Sequence, residues 1–381
     1  MIYLDHTSHT KADPAVLEEF CKAEREFIAN PMSAHKAGRA ARAEFDKTTA
    51  ATAGLLGAKP EEVIFTSGAA EANNLAIKGL TRAYRHVGKH IITNCLEHPS
   101  VSGPLATLRE QGWEIELADI KSDGTVDLEH LAALLRRDTV LVSIPWVDSE
   151  LGAIQPIEAI GKLLEKYPDC RFHVDAAQAV GKIFVSFSRT FERVDTLSFS
   201  CHKFNGICGS GALLKRKGIL LDALISGGVS TTMFRSGTPA LALAVSSCKA
   251  LELAVNNQNK RLEKVRSLRY HVNKFLEQYP RVRVNSPKEG SPYILNLSVQ
   301  GIKGIDFQEM LDKRGICVSV KSACSVPGTP SRPVFAVSRD KKNAVCSWRV
   351  GFSHWTKTEE VEGFLKAFDE CYNEKAKQVV K

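Results

Sequence analysis

No stretch of this 381-residue chain has the length and apolarity of a membrane span, no internal repeat emerges, and no tract is of low complexity. A bilayer-crossing helix needs about 20 consecutive apolar residues, so no association with a membrane is expected. The amino-terminal run Met1-Ile-Tyr-Leu-Asp-His lacks the basic start and apolar core of a secretory signal, which points to a cytoplasmic protein. Cys-x-x-Cys pairs are missing too. The ten cysteines are scattered, so free thiols in a reducing compartment are expected, with no zinc framework or other metal site. Also lacking is a massed charge of one sign: Lys and Arg exceed Asp and Glu by only 51 to 43, and the net +8 is spread along the chain. Nucleic acid binding is not called for. An anionic substrate, a cofactor phosphate or an acidic protein partner accounts for the excess.

What is present is ordinary globular composition, 44% hydrophobic and 25% charged, in a chain long enough for a large domain and a smaller one. From residue 37 to 245, helix-like and strand-like segments alternate, which predicts a largely parallel sheet between helices. Residues 71–84 have the helical period, with Ala72, Leu75, Ala76, Gly79, Leu80 and Ala83 on one face. Short apolar strands are predicted at 63–65, 90–94, 113–118, 140–144, 172–174, 196–200 and 212–214. A helical stretch over 239–278, free of internal proline and glycine, leads to strands at 282–284, 293–299, 317–320 and 348–352 and to a closing helix over 359–375. The expected division is an arm, 1–12, that joins a small α+β domain of residues 251–381, and a large domain of residues 13–250.

The segment from Arg171 to Lys203 says most about chemistry. One apolar run, Arg171-Phe-His-Val, ends in Asp175 and is followed by Gln178; a second, Thr196-Leu-Ser-Phe-Ser200, stops at Cys201-His202-Lys203. In an α/β sheet such strand ends meet at the edge where ligands gather. A carboxylate beside a lysine is what pyridoxal phosphate requires: an amine for a Schiff base with its aldehyde, and an acid that keeps its ring nitrogen protonated. Taken alone, a lysine after a strand is usually a solvated surface residue. An acid closing an apolar run, by contrast, needs a partner. Thr66-Ser67-Gly68-Ala69-Ala70-Glu71 is a small-residue turn into a helix; it either offers amides and a favourable dipole to a phosphate or is simply a tight turn. Ser200 and His202 could add donors. His98, between a strand and a helix, either lies flat on a cofactor ring or decorates its loop. Cys324 falls in a loop rich in proline, glycine and small polar residues, with Lys321 and Arg332 near it, and is either an activated thiolate or an ordinary exposed thiol.

Read together, these residues resemble the cysteine desulfurase family (NifS/IscS-like) of class V aminotransferase-fold enzymes. The pieces, in order, are Tyr3-Leu-Asp5, Asn30-Pro-Met-Ser-Ala-His35-Lys-Ala-Gly38-Arg39, Phe65-Thr-Ser-Gly68, Glu97-His98-Pro, Glu150-Leu-Gly152, His173-Val-Asp175-Ala-Ala-Gln178, Ser200-Cys-His-Lys203, Arg235-Ser-Gly-Thr238, Ser322-Ala-Cys324 and Trp348-Arg349. The resemblance implies an α/β fold of the PLP-dependent transferase (aspartate aminotransferase-like) type, a mainly parallel seven-stranded sheet between helices plus a smaller α+β domain. It implies that Lys203 carries the cofactor pyridoxal 5'-phosphate and later moves protons, that Asp175 pairs with the ring nitrogen and Gln178 with the ring hydroxyl, and that His98 stacks on the ring. Ser200, His202 and the amides at Gly68, Ala69 and Ala70 would hold the phosphate, with Thr238 supplied by the other subunit of a homodimer. Arg349 would clamp the carboxylate of L-cysteine. Cys324 would take the sulfur as a persulfide, leaving alanine, and pass it to an acceptor protein in a pathway such as iron–sulfur cluster assembly or tRNA thiolation.

The chain departs from the family at several points. The usual Asn-Ala-Ala-Thr-Thr-Pro is His6-Thr-Ser-His-Thr-Lys11, a strip expected to border the substrate; Ala70 stands in place of a threonine, which removes one phosphate hydroxyl; and Asn-Asn-Glu is Asp148-Ser149-Glu150. His6 and Ser149 are therefore expected at the substrate, and Ser149 at the cofactor as well. These changes leave open another class V reaction, by an aminotransferase, β-lyase or selenocysteine lyase, or a non-catalytic dimeric binding partner.

Overall fold

The computed structural model describes residues 1–188, 192–228, 230–321 and 329–379, with the backbone alone for 376–379. The chain starts with a short strand, β1 (Ile2–Tyr3), and then builds a seven-stranded sheet from β2 (Val63–Thr66), β3 (His90–Asn94), β4 (Glu114–Ala118), β5 (Thr139–Pro145), β6 (Arg171–Asp175), β7 (Thr196–Ser200) and β8 (Gly211–Lys215). Their order across the sheet is β2-β8-β7-β6-β5-β3-β4. The run from β4 to β7 is parallel, as expected, and β8 is antiparallel to both its neighbours. Every residue of β3, β5, β6, β7 and β8 is buried, which is why these strands read as continuous apolar runs instead of alternating ones. The chain leaves β3 toward β4 on one side and β5 toward β6 on the other. Loops at their carboxyl ends therefore diverge and open a crevice.

The expected helix over 239–278 is two helices, Leu241–Asn256 and Gln258–Leu276. Asn257 breaks them because its side-chain amide donates to the Leu253 carbonyl at 2.9 Å and its backbone leaves the helical region (φ −109°, ψ 11°). Beyond them, β9 (Val282–Val284), β10 (Ile294–Val299) and β12 (Ser347–Gly351) form an antiparallel sheet in the order β12-β10-β9. The strand expected at 317–320 shrinks to β11 (Ile316–Cys317), paired in parallel with β1, and Ser319 makes only an isolated bridge to Arg349. Successive residues of a strand face opposite ways. Trp348 of β12 accordingly stacks on Phe307 (centroids 5.2 Å apart) beside the buried Phe364 and Phe368 of the last helix, Thr358–Val379, while Arg349 points the other way. Burying one such aromatic stabilises the fold by about 1.5–3 kcal/mol, so this cluster fixes the β12 backbone that aims Arg349.

The amino-terminal arm is anchored to the same strand. Gly351 donates to the Leu4 carbonyl at 2.6 Å, and Asp5 bridges to Gly351. A Cβ at Gly351 would lie 2.5 Å from the Thr7 hydroxyl and 2.9 Å from the His6 amide, so only glycine lets the arm pass. No described helix is long and apolar enough to cross a membrane.

Candidate active site

Ten of the residues singled out from the sequence surround one cavity of about 270 Å³ at the carboxyl edge of the large sheet: Ala69, Ala70, His98, Ser149, Asp175, Gln178, Ser200, His202, Lys203 and Arg349. The topology explains the meeting. Asp175 ends β6, Ser200 ends β7, Lys203 follows in a 3-10 turn, and His98 and Ser149 lie in the loops after β3 and β5. The Lys203 Nζ donates to the Thr7 carbonyl at 2.9 Å and the Ser8 carbonyl at 2.7 Å, so the arm closes over the amine.

Asp175 has the partners that its position demands. Its Oδ1 accepts from the Ala177 N–H at 2.9 Å and its Oδ2 from the Asn73 side-chain amide at 2.8 Å. Asn73, fully buried, also donates to the Ser100 hydroxyl at 2.8 Å; its Oδ1 meets His173 Nε2 at 3.0 Å and accepts from the Ser198 hydroxyl. His173 Nδ1 in turn meets the Thr196 hydroxyl at 2.9 Å, and burial pushes the imidazole pKa down to about 4. The carboxylate is thus held by a satisfied network, which is what allows polar groups inside an apolar sheet. Asn73 was not singled out from the sequence. A signal was there, since it lies four residues from both Ala69 and Ile77 on a face that is buried throughout.

At the other end of the cavity the helix Ala69–Ala83 begins at Gly68 (φ +145°), which has no side chain of its own to cap it. Ala69 N–H donates to the Ser200 hydroxyl at 2.6 Å. A helix start whose N-cap is glycine, beside a hydroxyl, fits a phosphate, and the amine and carboxylate beyond it fit the aldehyde and ring nitrogen of pyridoxal phosphate. His202 stacks on His9 (centroids 5.4 Å apart) and its pKa is lowered to about 4, by burial first and then by Lys203, His9 and Lys182. His98 caps the helix Pro99–Glu110 by accepting from Ser100 N–H at 3.1 Å; burial lowers its pKa, against the pull of Asp175. Beside it, burial and Asp175 hold the Glu97 carboxyl well above the usual range.

Arg349 is 1% exposed yet lines the cavity. Its guanidinium donates to the Ser149 carbonyl at 2.5 Å, to Asp5 at 3.1 Å and to the Ser8 hydroxyl at 2.8 Å. Arm and β5 loop therefore both brace it, and from the arm Thr7 and Ser8 line the cavity while His6 does not. The arm turns where Ser8 and His9 donate to the Asp5 carbonyl, which presents Thr7 and Ser8 to the cavity and leaves His6 behind it, buried against Tyr3. Behind Ser149, Asp148 is 1% exposed, and its Oδ2 accepts from the amides of Glu150 (3.1 Å) and Leu151. Burial, then Glu150, raise its pKa to about 7. An acid with a higher pKa folded than unfolded stabilises the fold at low pH, and that contribution is lost as pH rises through the folded value. Asp148→Asn keeps an acceptor for both amides without the charge. Its stability advantage over the parent should widen from about pH 4 to pH 7 and reach roughly 2–4 kcal/mol. Urea unfolding at pH 5 and pH 8 tests this, and a gap that fails to widen refutes it.

Thr238 is exposed and outside this cavity. Cys324 lies outside the described residues, but Lys321 and Thr329 on either side of that segment are joined by hydrogen bonds of 2.7 Å and line an adjoining cleft of about 700 Å³ that shares Leu96, His98 and Ser149 with the cavity.

The sequence matches the family Aminotransferase class-V over residues 2–364. It is 36% identical over 380 residues to a NifS/IcsS protein homolog of Lactobacillus delbrueckii subsp. bulgaricus, covering 98% of this chain and 97% of the relative. It is also 36% identical to the cysteine desulfurase IscS of Dictyoglomus turgidum, covering 97% of this chain and 93% of that one. A solved NifS-like protein superimposes with a TM-score of 0.91 at 33% identity, covering 97% of this chain and 98% of the other. With these likenesses running nearly end to end, the chain belongs to the class V aminotransferase family, within its pyridoxal phosphate-dependent NifS/IscS cysteine desulfurase branch.

Proposed function

We propose that the protein is a cysteine desulfurase that moves sulfur from L-cysteine to Cys324, releases L-alanine, and hands the sulfur to an acceptor protein. The observation that carries this reading is the meeting of Lys203, Asp175 and Arg349 in one cavity. Bound pyridoxal phosphate supplies an electron sink for the carbons of the amino acid. Lys203 holds the cofactor aldehyde and then carries the α-proton of the substrate. Asp175, braced by Asn73 and Ala177, keeps the ring nitrogen protonated. Gln178 would pair with the ring hydroxyl, His98 would stack on the ring, and Ser200, His202 and the amides at Gly68, Ala69 and Ala70 would hold the phosphate. Arg349 takes the substrate carboxylate through its two-pronged guanidinium.

The Cys324 thiolate would attack the substrate sulfur and keep it as a persulfide, the bond from that sulfur to the substrate carbon being the one broken. One cysteine and one thiol become one alanine and one persulfide, so no outside oxidant is consumed. Lys321 and Thr329, which flank the Cys324 segment in the sequence, line the adjoining cleft, and a loop suits a thiol that must visit the site and then present its persulfide to an acceptor. The exposure of Thr238 suits a homodimer in which it serves the partner's site. The unpaired state of all nine described cysteines suits a reducing cytoplasm. The division into an arm, a large domain and a small one is part of this reading, as is an acceptor in iron–sulfur cluster assembly or tRNA thiolation.

The test is to add L-cysteine and measure alanine, enzyme persulfide and, with a reductant, sulfide. Cys324→Ala should keep the yellow colour and lose sulfide release by roughly 10³-fold or more. Release at the parent rate would remove Cys324 from the reading. Product profiling across amino acids separates a desulfurase from an aminotransferase, a β-lyase or a selenocysteine lyase.

A further inference from the structure

A second lysine is buried behind the first. Lys182 is 5% exposed, and the charges its ammonium feels, those of Lys203 and Arg349, have its own sign. It also raises the cost of protonating His6 and His202. The small cavity between the two lysines is lined by Arg261, Tyr293 and His354 and, among the described residues, by no carboxylate. The Tyr293 ring lies 5.6 Å from Lys182 Nζ. Burying a cation among cations is costly, so the residue needs a compensating role.

Its contacts supply one. Lys182 follows Gln178 by four residues in a helix-like turn, and its Nζ donates to Gln178 Oε1 at 2.6 Å. The Gln178 Nε2 then donates to the Thr7 carbonyl at 2.9 Å, the same oxygen that accepts from Lys203 Nζ at 2.9 Å. An ammonium can only donate. Turning the Gln178 amide over would set its NH2 against the ammonium and its oxygen against the Thr7 oxygen, losing both contacts at once. We infer that Lys182 is a positioning residue: clamped on Gln178, it keeps that amide nitrogen turned toward Thr7 and the Lys203 amine, and it adds a positive charge behind the bond between Lys203 and the cofactor. The inference rests on Lys203 being the cofactor lysine. Burial and its two cationic neighbours bring the Lys182 pKa down to about 7, so this charge is itself adjustable near neutral pH.

The test compares Lys182→Met, which removes hydrogen bond and charge, with Lys182→Gln, which keeps a donor for Gln178 and removes only the charge. The readouts are the pH titration of the visible cofactor band and the affinity of the apo-protein for pyridoxal phosphate. Loss of one neighbouring like charge raises the pKa of the cofactor-linked nitrogen by roughly one to two units, in both variants. Freeing the Gln178 amide weakens cofactor binding about 10-fold in Lys182→Met, with Lys182→Gln within about 3-fold of the parent. Removing a buried charge should leave the Met variant as thermally stable as the parent or more so, which keeps the comparison valid. Parent-like titration and affinity in Lys182→Met would overturn the inference. A visible linkage band that survives Lys203→Ala would instead overturn the site reading beneath it.

Discussion

Lys203→Ala is expected to lose turnover of L-cysteine by roughly 10³-fold or more, since the proposed function gives this one side chain both the anchoring of the cofactor and the transfer of the substrate proton. The physical basis is the setting of the amine. It leaves the turn after β7 with two carbonyl acceptors, Thr7 and Ser8, and with Asp175, His98 and Ser200 around the same cavity. Alanine at this position leaves the phosphate end untouched: the start of the helix at Gly68 and the Ser200 hydroxyl remain. Cofactor should therefore still bind, but reversibly. Borohydride reduction followed by peptide mapping should fix cofactor on the Lys203 peptide of the parent and on no peptide of the variant. Cofactor fixed on Lys182 in the parent would move the chemistry to the second lysine and reject the assignment. The arm also loses two hydrogen bonds to a charged donor, so Thr7 and Ser8 should exchange backbone protons faster in the variant.

How much of this was legible beforehand differs from residue to residue, for physical reasons. Five strands of the large sheet, β3 and β5 to β8, were readable because both faces are buried, which makes each an apolar run. The polar residue at its end, Asp175 after β6 or Lys203 after β7, then marks the ligand edge. Asn257 was less readable: its neighbours favour a helix, and the break depends on a side chain turning back to its own backbone. β11 was overestimated because only two of its residues find a partner strand. The arm shows the limit most clearly. His6 and Ser8 are two residues apart in a strip recognisable from its sequence, yet which of them meets the cavity depends on the turn closed on the Asp5 carbonyl. Asn73 matters through Asp175 and His173, about a hundred residues distant, and a single sequence carries little trace of such pairings; Lys182 meets Gln178 only four residues away, but nothing in the sequence shows that both are buried beside the amine of Lys203.

Asp175→Asn is expected to cost turnover about 10²–10³-fold, the scale of losing one preorganised electrostatic group. An amide cannot keep the ring nitrogen protonated. It also breaks the local network, because both donors to this carboxylate are fixed: Ala177 N–H on one oxygen and the Asn73 amide on the other. Whichever way the substituted side chain turns, its NH2 meets a donor, and the unpaired group should lower stability by about 1–3 kcal/mol. These two losses can be separated. Exchanging the pair, Asn73→Asp together with Asp175→Asn, restores complementarity: the new carboxylate at position 73 accepts from the amide at position 175 and still accepts from Ser198, while the carbonyl oxygen at position 175 accepts from Ala177. Much of the melting temperature should return. Turnover should not, because the charge has moved away from the ring. If the exchanged pair recovered activity along with stability, Asp175 would be a scaffold residue whose contribution is packing, and the carboxylate acting on the cofactor would have to be sought elsewhere in the cavity.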